Sequence, residues 1–200
     1  MKLGDYKVVL IVVGLIGVLI IAAPVFADVV GSPPNVERFS ELYLLGSDHM
    51  AQNYPYNVAV GQNYLIYVGV GNQLGVSAYY NLYVKLANGT DALPNATLGT
   101  PSSLVPLYEY SFAVQNNATW ESLLSFSITS ANVSATQSVV NQLTINGLQF
   151  DMNKSSAWDS NSTSYAYKLV FELWLYNSTA NVVQYNNRFV DLQLNLTSTV

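Results

Sequence analysis

The single histidine of this 200-residue chain, His49, directly follows Asp48 and is the first candidate for chemistry. In a Ser-His-Asp arrangement its imidazole would act as the base, but it would need an activated serine, and the chain contains no G-x-S-x-G turn. A metal site would need more ligands than Asp48 and His49. We therefore interpret His49 as an exposed turn residue.

Two carboxylates, Glu109 and Glu121, are the next candidates, because a pair of acidic side chains can hydrolyse a glycosidic bond. They lie on neighbouring predicted strands across the Asn116-Asn117 turn. Acidic residues are also common on the solvent faces of strands, and we favour that interpretation. The chain has no phosphate loop, dinucleotide fingerprint or clustered calcium motif. The sequence thus predicts no enzyme, no cofactor and no metal.

The N-x-S/T triplet is the most frequent pattern with a chemical meaning, because its asparagine can accept an oligosaccharide in an extracellular protein. Eight such triplets occur, all at or after residue 88, although asparagines are frequent before it as well. We therefore expect glycans beyond residue 88, and we hypothesise that residues 36–87 are shielded by a partner or by the membrane surface. The predicted glycosylation sites are Asn88, Asn95, Asn117, Asn132, Asn153, Asn161, Asn177 and Asn195.

Tyrosine is unusually frequent, with 15 residues, and two clusters lie in the part without sequons: Tyr54-Pro55-Tyr56 and Tyr79-Tyr80. Aromatic faces can stack on sugars or fill protein interfaces. Tyrosine-rich strands are also ordinary cores of β-sandwiches, and the sequence favours this second interpretation.

Short apolar and aromatic runs, separated by Asn, Gly, Ser and Pro, indicate a mainly β chain. Residues 91–106 are predicted to form a loop. The pattern of residues 131–142 is ambiguous and is compatible with a short helix. Asn146-Gly147 lies between two alternating apolar runs and predicts a hairpin, and Asn88-Gly89 suits a type I′ turn. The pattern predicts a single immunoglobulin-like antiparallel β-sandwich. Its predicted strands are 39–45, 64–70, 78–86, 107–114, 120–128, the hairpin 143–150, 165–176, and one or two more within 182–196.

An uncharged apolar segment, Val8 to Ala27, precedes this domain. At about 1.5 Å per residue, a helix of this length spans the ~30 Å hydrocarbon core of a bilayer. The lysines before the segment predict that the later residues lie outside the cell. Val25-Phe26-Ala27 also fits a signal-peptidase site, so cleavage after Ala27 stays open, while a retained transmembrane anchor is favoured. The predicted domains are 1–27, anchor or signal segment; 28–35, proline-containing neck; and 36–200, extracellular β-sandwich.

Charged residues make up only 10% of the chain, and its net charge is −5. This balance offers no basic footprint for a nucleic acid. The polar surface has to come from uncharged side chains, which suits an exterior coated by sugar or exposed to extreme pH. The absence of cysteine excludes disulfides, thiolate nucleophiles and cysteine-based metal sites.

Several short motifs resemble those of one known family. They are Phe39–Gly46, Tyr54-Pro55, Val60-Gly61-Gln62, Val68–Asn72 and Tyr185–Phe189. Together they resemble an uncharacterised family of archaeal membrane proteins, a domain of unknown function found in crenarchaea and methanogens. The likeness covers most of residues 36–196 and the preceding anchor. It implies a membrane-associated protein with an outer β-sandwich and transfers no catalytic residue. Many relatives have several membrane spans, whereas this chain has one predicted span.

We therefore expect a glycosylated structural or interaction protein of the archaeal cell surface. It would be a single-pass protein of the plasma membrane, anchored by residues 8–27, with its C-terminal domain outside. Its partner would be another envelope protein or a second copy of the chain. The alternative is a carbohydrate- or peptide-binding accessory module of a membrane complex, which an exposed groove lined by tyrosines would favour.

Overall fold

The computed structural model describes residues 37–160 and 162–197 of the chain, which form ten β-strands and no helix. The strands are β1 (Phe39–Leu45), β2 (Asn57–Val58), β3 (Tyr64–Gln73), β4 (Ala78–Asn88), β5 (Tyr108–Val114), β6 (Ala118–Val133), β7 (Gln137–Ile145), β8 (Leu148–Asp159), β9 (Ser164–Asn177) and β10 (Val182–Leu196). Within the same ranges, no helix has the length and apolarity that a membrane span requires. The predicted anchor (1–27), the predicted neck (28–35) and the Asn161 sequon lie outside the described residues.

The strands form one curled sheet with two halves. The first half has the order β1-β3-β6-β7-β8, and the second has the order β5-β4-β9-β10-β2. Strand β8 joins them, because its residues up to Ala157 pair with β7, whereas Trp158 and Asp159 pair with Tyr165 and Ser164 of β9. All described pairs of strands are antiparallel except β2 with β10. The fold is therefore mainly β and β-sandwich-like, and this part of the fold prediction from the sequence is confirmed.

The core lies between the two halves and receives every second side chain of the central strands. In β3 the fully buried hydrophobic residues are Ile66, Val68 and Val70, which follow the period of two expected of a strand with one face in the core. The second half contributes equivalent alternating positions in β4 and β9. Other fully buried members of this cluster are Leu82, Val84, Leu124, Phe126, Leu143, Ile145, Tyr167, Leu169, Phe171 and Leu194. Full burial of each such side chain stabilises the fold by roughly 1.5–3 kcal/mol before conformational entropy is counted.

Residues 131–142 form the end of one strand, a turn and the start of the next strand. The short helix that the sequence allowed as an alternative in this range is therefore absent. Residues 131–133 end β6, and residues 137–142 begin β7. The register shifts between Ile128 and Ser130, between Ser130 and Ala131, and between Val140 and Gln142. Each shift moves the following side chains to the opposite face, and this is why the apolar positions do not alternate cleanly in the sequence.

The two Asn-Gly dipeptides behave differently. Asn146 and Gly147 have φ angles of 49° and 80°, and they join β7 to β8 in the predicted hairpin. The type I′ turn predicted at Asn88-Gly89 is wrong, because neither residue is among those with positive φ. Instead, the Asn88 Oδ1 accepts hydrogen bonds from the backbone N–H groups of Thr90 and Asp91, and a long loop leads to β5.

Candidate functional site

His49 lies in the turn after β1 and is about half exposed, as the sequence predicted. Its ring packs edge-to-face on Tyr67 with 3.6 Å between centroids, and its Nδ1 lies 3.3 Å from Glu121 Oε1. The neighbouring Asp48 accepts hydrogen bonds from the side chains of Gln52 and Asn53, which hold the pKa of its carboxyl below the usual value. Residues 37–160 and 162–197 contain no group of three or more His, Asp or Glu side chains arranged to hold a metal.

The structure does not bring Glu109 and Glu121 together. Glu109 lies on β5 of the second half and accepts hydrogen bonds from Asn81 Nδ2 and, at 2.8 Å, from Ser111 Oγ. Glu121 lies on β6 of the first half, beside His49. The connection from β5 to β6 passes from one half to the other instead of forming a hairpin, and both carboxylates point away from the core. The hypothesis that these carboxylates approach each other is therefore wrong.

A tyrosine crosses the outer face of the first half close to the edge strand β1. Tyr43 lies over Gly69, where an added Cβ would stand 2.1 Å from the Tyr43 Cζ, and its hydroxyl reaches to 3.5 Å from Glu121 Oε2. Burial, followed by the charge of Glu121, raises the pKa of the Tyr43 phenol. The glycine therefore provides the space that holds the ring flat beside β1.

An apolar cleft of about 330 Å³ opens between the edges of β1 and β10, and we call it the β1–β10 cleft. Its wall on one side is Leu42, Tyr43 and Leu44, and on the other it is Val190, Asp191 and Leu192. Tyr54 and Tyr56 cover one part of it, with ring centroids 5.8 Å apart. The Tyr54 hydroxyl donates a hydrogen bond to the Leu44 carbonyl oxygen at 2.8 Å, which fixes its ring over β1.

Both strands that flank this cleft have an edge that lacks a partner strand over most of its length, although the Ser40 and Leu44 carbonyl oxygens of β1 accept side-chain hydrogen bonds from Arg188 and Tyr54. Among the described residues, β1 pairs with β3 and with no other strand. Strand β10 pairs with β9 along its length but meets β2 only at Asn195 and Leu196. One end of the cleft is bridged by the hydrogen bond from Arg188 Nε to the Ser40 carbonyl oxygen, at 3.1 Å. A strand edge without a partner strand is a place where another extended chain can add, and on β1 such a chain would have to displace or bypass these two side-chain hydrogen bonds.

A buried ion pair on the outer face of the second half was not predicted from the sequence. Lys85 Nζ lies 2.7 Å from Glu172 Oε2, and the two side chains are 3% and 0% exposed. The Ser102 N–H and hydroxyl both donate to Glu172 Oε1, and Trp174 Nε1 donates to Oε2 at 3.3 Å. Because Ser102 belongs to the 91–106 loop, the pair attaches this loop to β4 and β9. Lys85 alternates with the core residues Val84 and Leu86 along β4, so strand periodicity by itself gives no sign that it is buried.

Tyr185 lies next to this network. Its hydroxyl is buried and has no hydrogen-bond partner among the described residues. Burial, with the Glu172 charge second, raises the pKa of the phenol to about 12. Its ring lies 5.9 Å from that of Trp174. Lys85, Glu172, Trp174 and Tyr185 therefore form one cluster of buried and partly buried side chains on this face of the second half.

The described sequons fall into two groups. Asn95, Asn117, Asn132 and Asn153 have exposed side chains, whereas Asn88, Asn177 and Asn195 are half-buried. Of the second group, Asn88 Nδ2 donates to the Ser155 carbonyl oxygen at 2.8 Å, and Asn195 Nδ2 lies 3.4 Å from Asn57 Oδ1. An oligosaccharide is attached to the Nδ2 nitrogen of asparagine. An asparagine whose Nδ2 already donates a hydrogen bond within the fold is therefore a poor glycosylation site.

We predict that glycan occupancy follows this division. Glycopeptide mass spectrometry of the protein from its native source should find hexose mass on most of Asn95, Asn117, Asn132 and Asn153, because their side chains are exposed. Asn88 should be bare in the folded protein. Full occupancy of Asn88, with the exposed sites bare, would contradict the prediction.

The fold offers a second explanation for the absence of sequons from residues 36–87. This segment supplies β3 and β4, the inner strands of the two halves, and two of its asparagines, Asn72 and Asn81, are buried. The core therefore occupies much of the segment. Strand β1 and the 46–56 loop are the parts for which a shielding partner stays a prediction.

The sequence matches a family described as a domain of unknown function, DUF1616, over residues 33–140. This match agrees with the resemblance to a domain of unknown function stated above, while the archaeal source and the anchor stay predictions. No curated protein matches the chain.

Solved structures with a similar fold are distant. A β-glucosidase from Listeria innocua in complex with glucose has a TM-score of 0.41 at 8% identity, covering 82% of this chain and 16% of the glucosidase. The CARDB domain of a Pyrococcus furiosus protein in complex with di-metal ions has a TM-score of 0.40 at 11% identity, covering 82% and 98%. The human complex of zinc 2-glycoprotein and prolactin-inducible protein gives 0.38 at 9% identity, covering 82% and 98%. These similarities carry no argument about what the chain binds.

Proposed function

Since the chain belongs to the DUF1616 family of domains of unknown function, we propose a function from the geometry of the domain itself. The domain is an immunoglobulin-like interaction module of the cell surface, and it binds an extended segment of a partner protein in the β1–β10 cleft. The predicted anchor and sequons support the location of the module outside the membrane. The archaeal envelope stays the proposed setting.

The single observation that carries this proposal is an apolar cleft flanked on either side by a strand edge that has no partner strand over most of its length. An extended peptide carries a backbone N–H and C=O at every residue, and it can pair with such an edge while its alternate side chains enter the cleft. A sugar or a small apolar molecule would leave the strand edges unpaired. The geometry therefore favours a polypeptide strand over other ligands.

The lining of the cleft defines the chemistry of the segment. Leu42, Leu44 and Val190 are only partly buried although they pack against the core, so a ligand would bury apolar surface on them. The acidic residue of the lining, Asp191, already lies 3.0 Å from Lys168 Nζ. An uncharged segment with apolar residues at alternate positions fits this surface best. Between Phe189 and Leu194 of β10 there is room for about six residues at ~3.3 Å each.

The location of the cleft agrees with a contact surface. The β1 wall and the two tyrosines belong to residues 42–56, which contain no sequon. The nearest predicted site in the pairing scheme is Asn195, where β2 meets β10. A partner strand that lies along β1 would therefore meet no glycan attached to residues 42–56.

A random decapeptide library displayed on phage provides the test, with the full chain in lipid nanodiscs as bait. We expect enriched peptides with apolar residues at alternate positions. Substituting Tyr56→Ser should weaken their binding about tenfold, because exposed tyrosines in clefts contribute about 1–2 kcal/mol or more to binding. N-methylation of alternate peptide amides should abolish binding, because it removes the donors that pair with the strand edge.

The matched control is Tyr79→Ser, since Tyr79 is 44% exposed and Tyr56 is 50% exposed, but Tyr79 lies on β4 and outside the cleft. This variant should bind the peptides as the unaltered chain does. The proposal fails if no peptide is enriched over empty nanodiscs. It also fails if enriched peptides ignore both Tyr56→Ser and N-methylation.

A further inference from the structure

Trp158 is an exposed aromatic side chain outside the β1–β10 cleft. It lies where β8 passes from the first half of the sheet to the second. We propose that Trp158 and the polar hollow beside it bind a neutral oligosaccharide. This site, which we call the Trp158 site, uses the end of β4, the β6–β7 turn and the end of β8. It shares no lining residue with the β1–β10 cleft and does not depend on the function proposed for that cleft.

Trp158 is held firmly although its side chain remains in contact with solvent. The residue is 38% exposed, and its ring meets the buried Tyr165 ring edge-to-face with 5.0 Å between centroids. Its backbone N–H donates to the Thr136 carbonyl oxygen at 2.8 Å. The Tyr165 hydroxyl in turn donates to the Ser134 carbonyl oxygen. The β6–β7 turn and β9 thus fix the indole, so a ligand would lose little entropy in ordering it.

Two hollows adjoin the indole. One of about 340 Å³ lies towards Val133, Ser134 and Ala135, and one of about 520 Å³ lies towards the 88–90 turn and residues 155–159. Both volumes fall within the range of roughly 300–1,000 Å³ that is usual for small-ligand sites. Because Trp158 lines both, its ring separates two neighbouring subsites. A chain of linked sugar rings has the shape to occupy both, with one ring against the indole.

The larger hollow is lined mainly by uncharged hydrogen-bonding groups. Within the part of the chain that the structure describes, the side chains of Thr136, Gln137 and Ser155 have no hydrogen-bond partner. Hydroxyl and amide groups of this kind donate and accept at once, as sugar hydroxyls do. The Asn88 amide forms a fixed wall, because its Nδ2 donates to the Ser155 carbonyl oxygen. An aromatic face beside a row of neutral donors and acceptors is suited to a carbohydrate.

The charges near the hollow are compensated, which favours a neutral ligand. Lys154 Nζ lies 2.8 Å from Asp91 Oδ2, and Asp159 accepts a hydrogen bond from Ser162 Oγ at 2.9 Å. An anionic sugar or a phosphate would find no unpaired cation among these groups. A neutral hexose polymer meets no such penalty.

Binding of four defined hexasaccharides tests the proposal: maltohexaose, cellohexaose, mannohexaose and chitohexaose. The full chain is used in lipid nanodiscs, because alkyl-glycoside detergents would present sugar headgroups to the site. Calorimetry should detect sub-millimolar binding of at least one hexasaccharide, with a change in tryptophan fluorescence. Trp158→Ala should weaken that binding tenfold or more, Trp158→Phe should retain most of it, and Gln137→Ala should weaken it about threefold.

Tyr176→Ala is the matched control, because Tyr176 is 39% exposed but lies on β9 outside both hollows. It should leave the affinity unchanged. The proposal is overturned if the unaltered chain binds none of the four hexasaccharides, or if binding is the same in Trp158→Ala and in Tyr176→Ala. Circular dichroism establishes that each variant is folded, and Gln137→Ala decides the question if Trp158→Ala is not.

Discussion

Lys85→Met is expected to lower the free energy of unfolding by about 3–5 kcal/mol, the largest effect of any single substitution that we predict for a charged side chain. The lysine is 3% exposed, and Glu172, its partner at 2.7 Å, is fully buried. Methionine has a similar length but no charge, so Glu172 would stay buried with the hydrogen bonds of Ser102 and Trp174 and without a counter-ion. Urea unfolding of the full chain, followed by tryptophan fluorescence, measures the effect.

Two further variants identify the cause. Lys168→Met removes a lysine of the same kind from the half-exposed Lys168–Asp191 pair, and it should cost about 1 kcal/mol or less. Adding Glu172→Gln to Lys85→Met should recover part of the loss, because the amide needs no counter-ion. A cost below 1 kcal/mol for Lys85→Met itself would mean that the pair contributes little to stability and does not hold the 91–106 loop.

Tyr167→Ala is expected to cost about 3–5 kcal/mol through the lost packing of a fully buried ring. The phenol also joins the two halves of the sheet. From β9 its hydroxyl reaches Ser138 Oγ of β7 at 2.7 Å and the Lys154 carbonyl oxygen of β8 at 3.2 Å. Tyr167→Phe keeps the ring and leaves these groups without their partner, so it should cost about 1–3 kcal/mol.

The control for the hydroxyl is Tyr79→Phe, because Tyr79 is exposed and makes no hydrogen bond through its hydroxyl among the described residues. Its change should stay within about 0.5 kcal/mol. The same urea unfolding experiment provides all three values. If Tyr167→Phe behaves like Tyr79→Phe, the hydroxyl does not connect the halves, and packing alone accounts for the alanine result.

These two predictions bear on the proposed sites through the strands involved. Lys85 and Glu172 connect β4 to β9, which continues to β10 and the β1–β10 cleft. Tyr167 contacts β8 at Lys154, four residues before Trp158, which lies near the C-terminal end of β8. Loss of either network is therefore expected to loosen elements that position a site, so binding measurements have to use substitutions on the surface of each site.

Much of the secondary structure could be predicted from the local sequence pattern. The strands 39–45, 165–176 and 182–196 correspond closely to β1, β9 and β10, because each has an alternating or continuous apolar run between turn residues. Asn146-Gly147 was predicted as a hairpin because those two residue types readily adopt positive φ. Where the pattern failed, at residues 131–142, the cause was a set of bulges that reverse the alternation.

The candidate sites were much harder to predict from the sequence. The sequence favoured a place in the core for the tyrosine clusters that include Tyr54 and Tyr56, and nothing local indicated that β1 and β10, about 150 residues apart in sequence, would flank them. Trp158 carried no signal in the sequence, because its exposure results from the crossing of β8 between the halves. The prediction that Glu109 and Glu121 lie on neighbouring strands failed for the same reason, since a turn between two strands does not decide whether they pair.

The sequence by itself determined the strand content, the hairpin at Asn146-Gly147 and the absence of covalent cross-links through cysteine, because these depend on residue types and on a period of two. It also determined where oligosaccharide attachment is chemically possible. The tertiary structure alone decided which strands pair, that Lys85 meets Glu172 across 87 residues, and which asparagines remain exposed. Those outcomes depend on packing between distant segments, for which the local sequence carries no periodic signal.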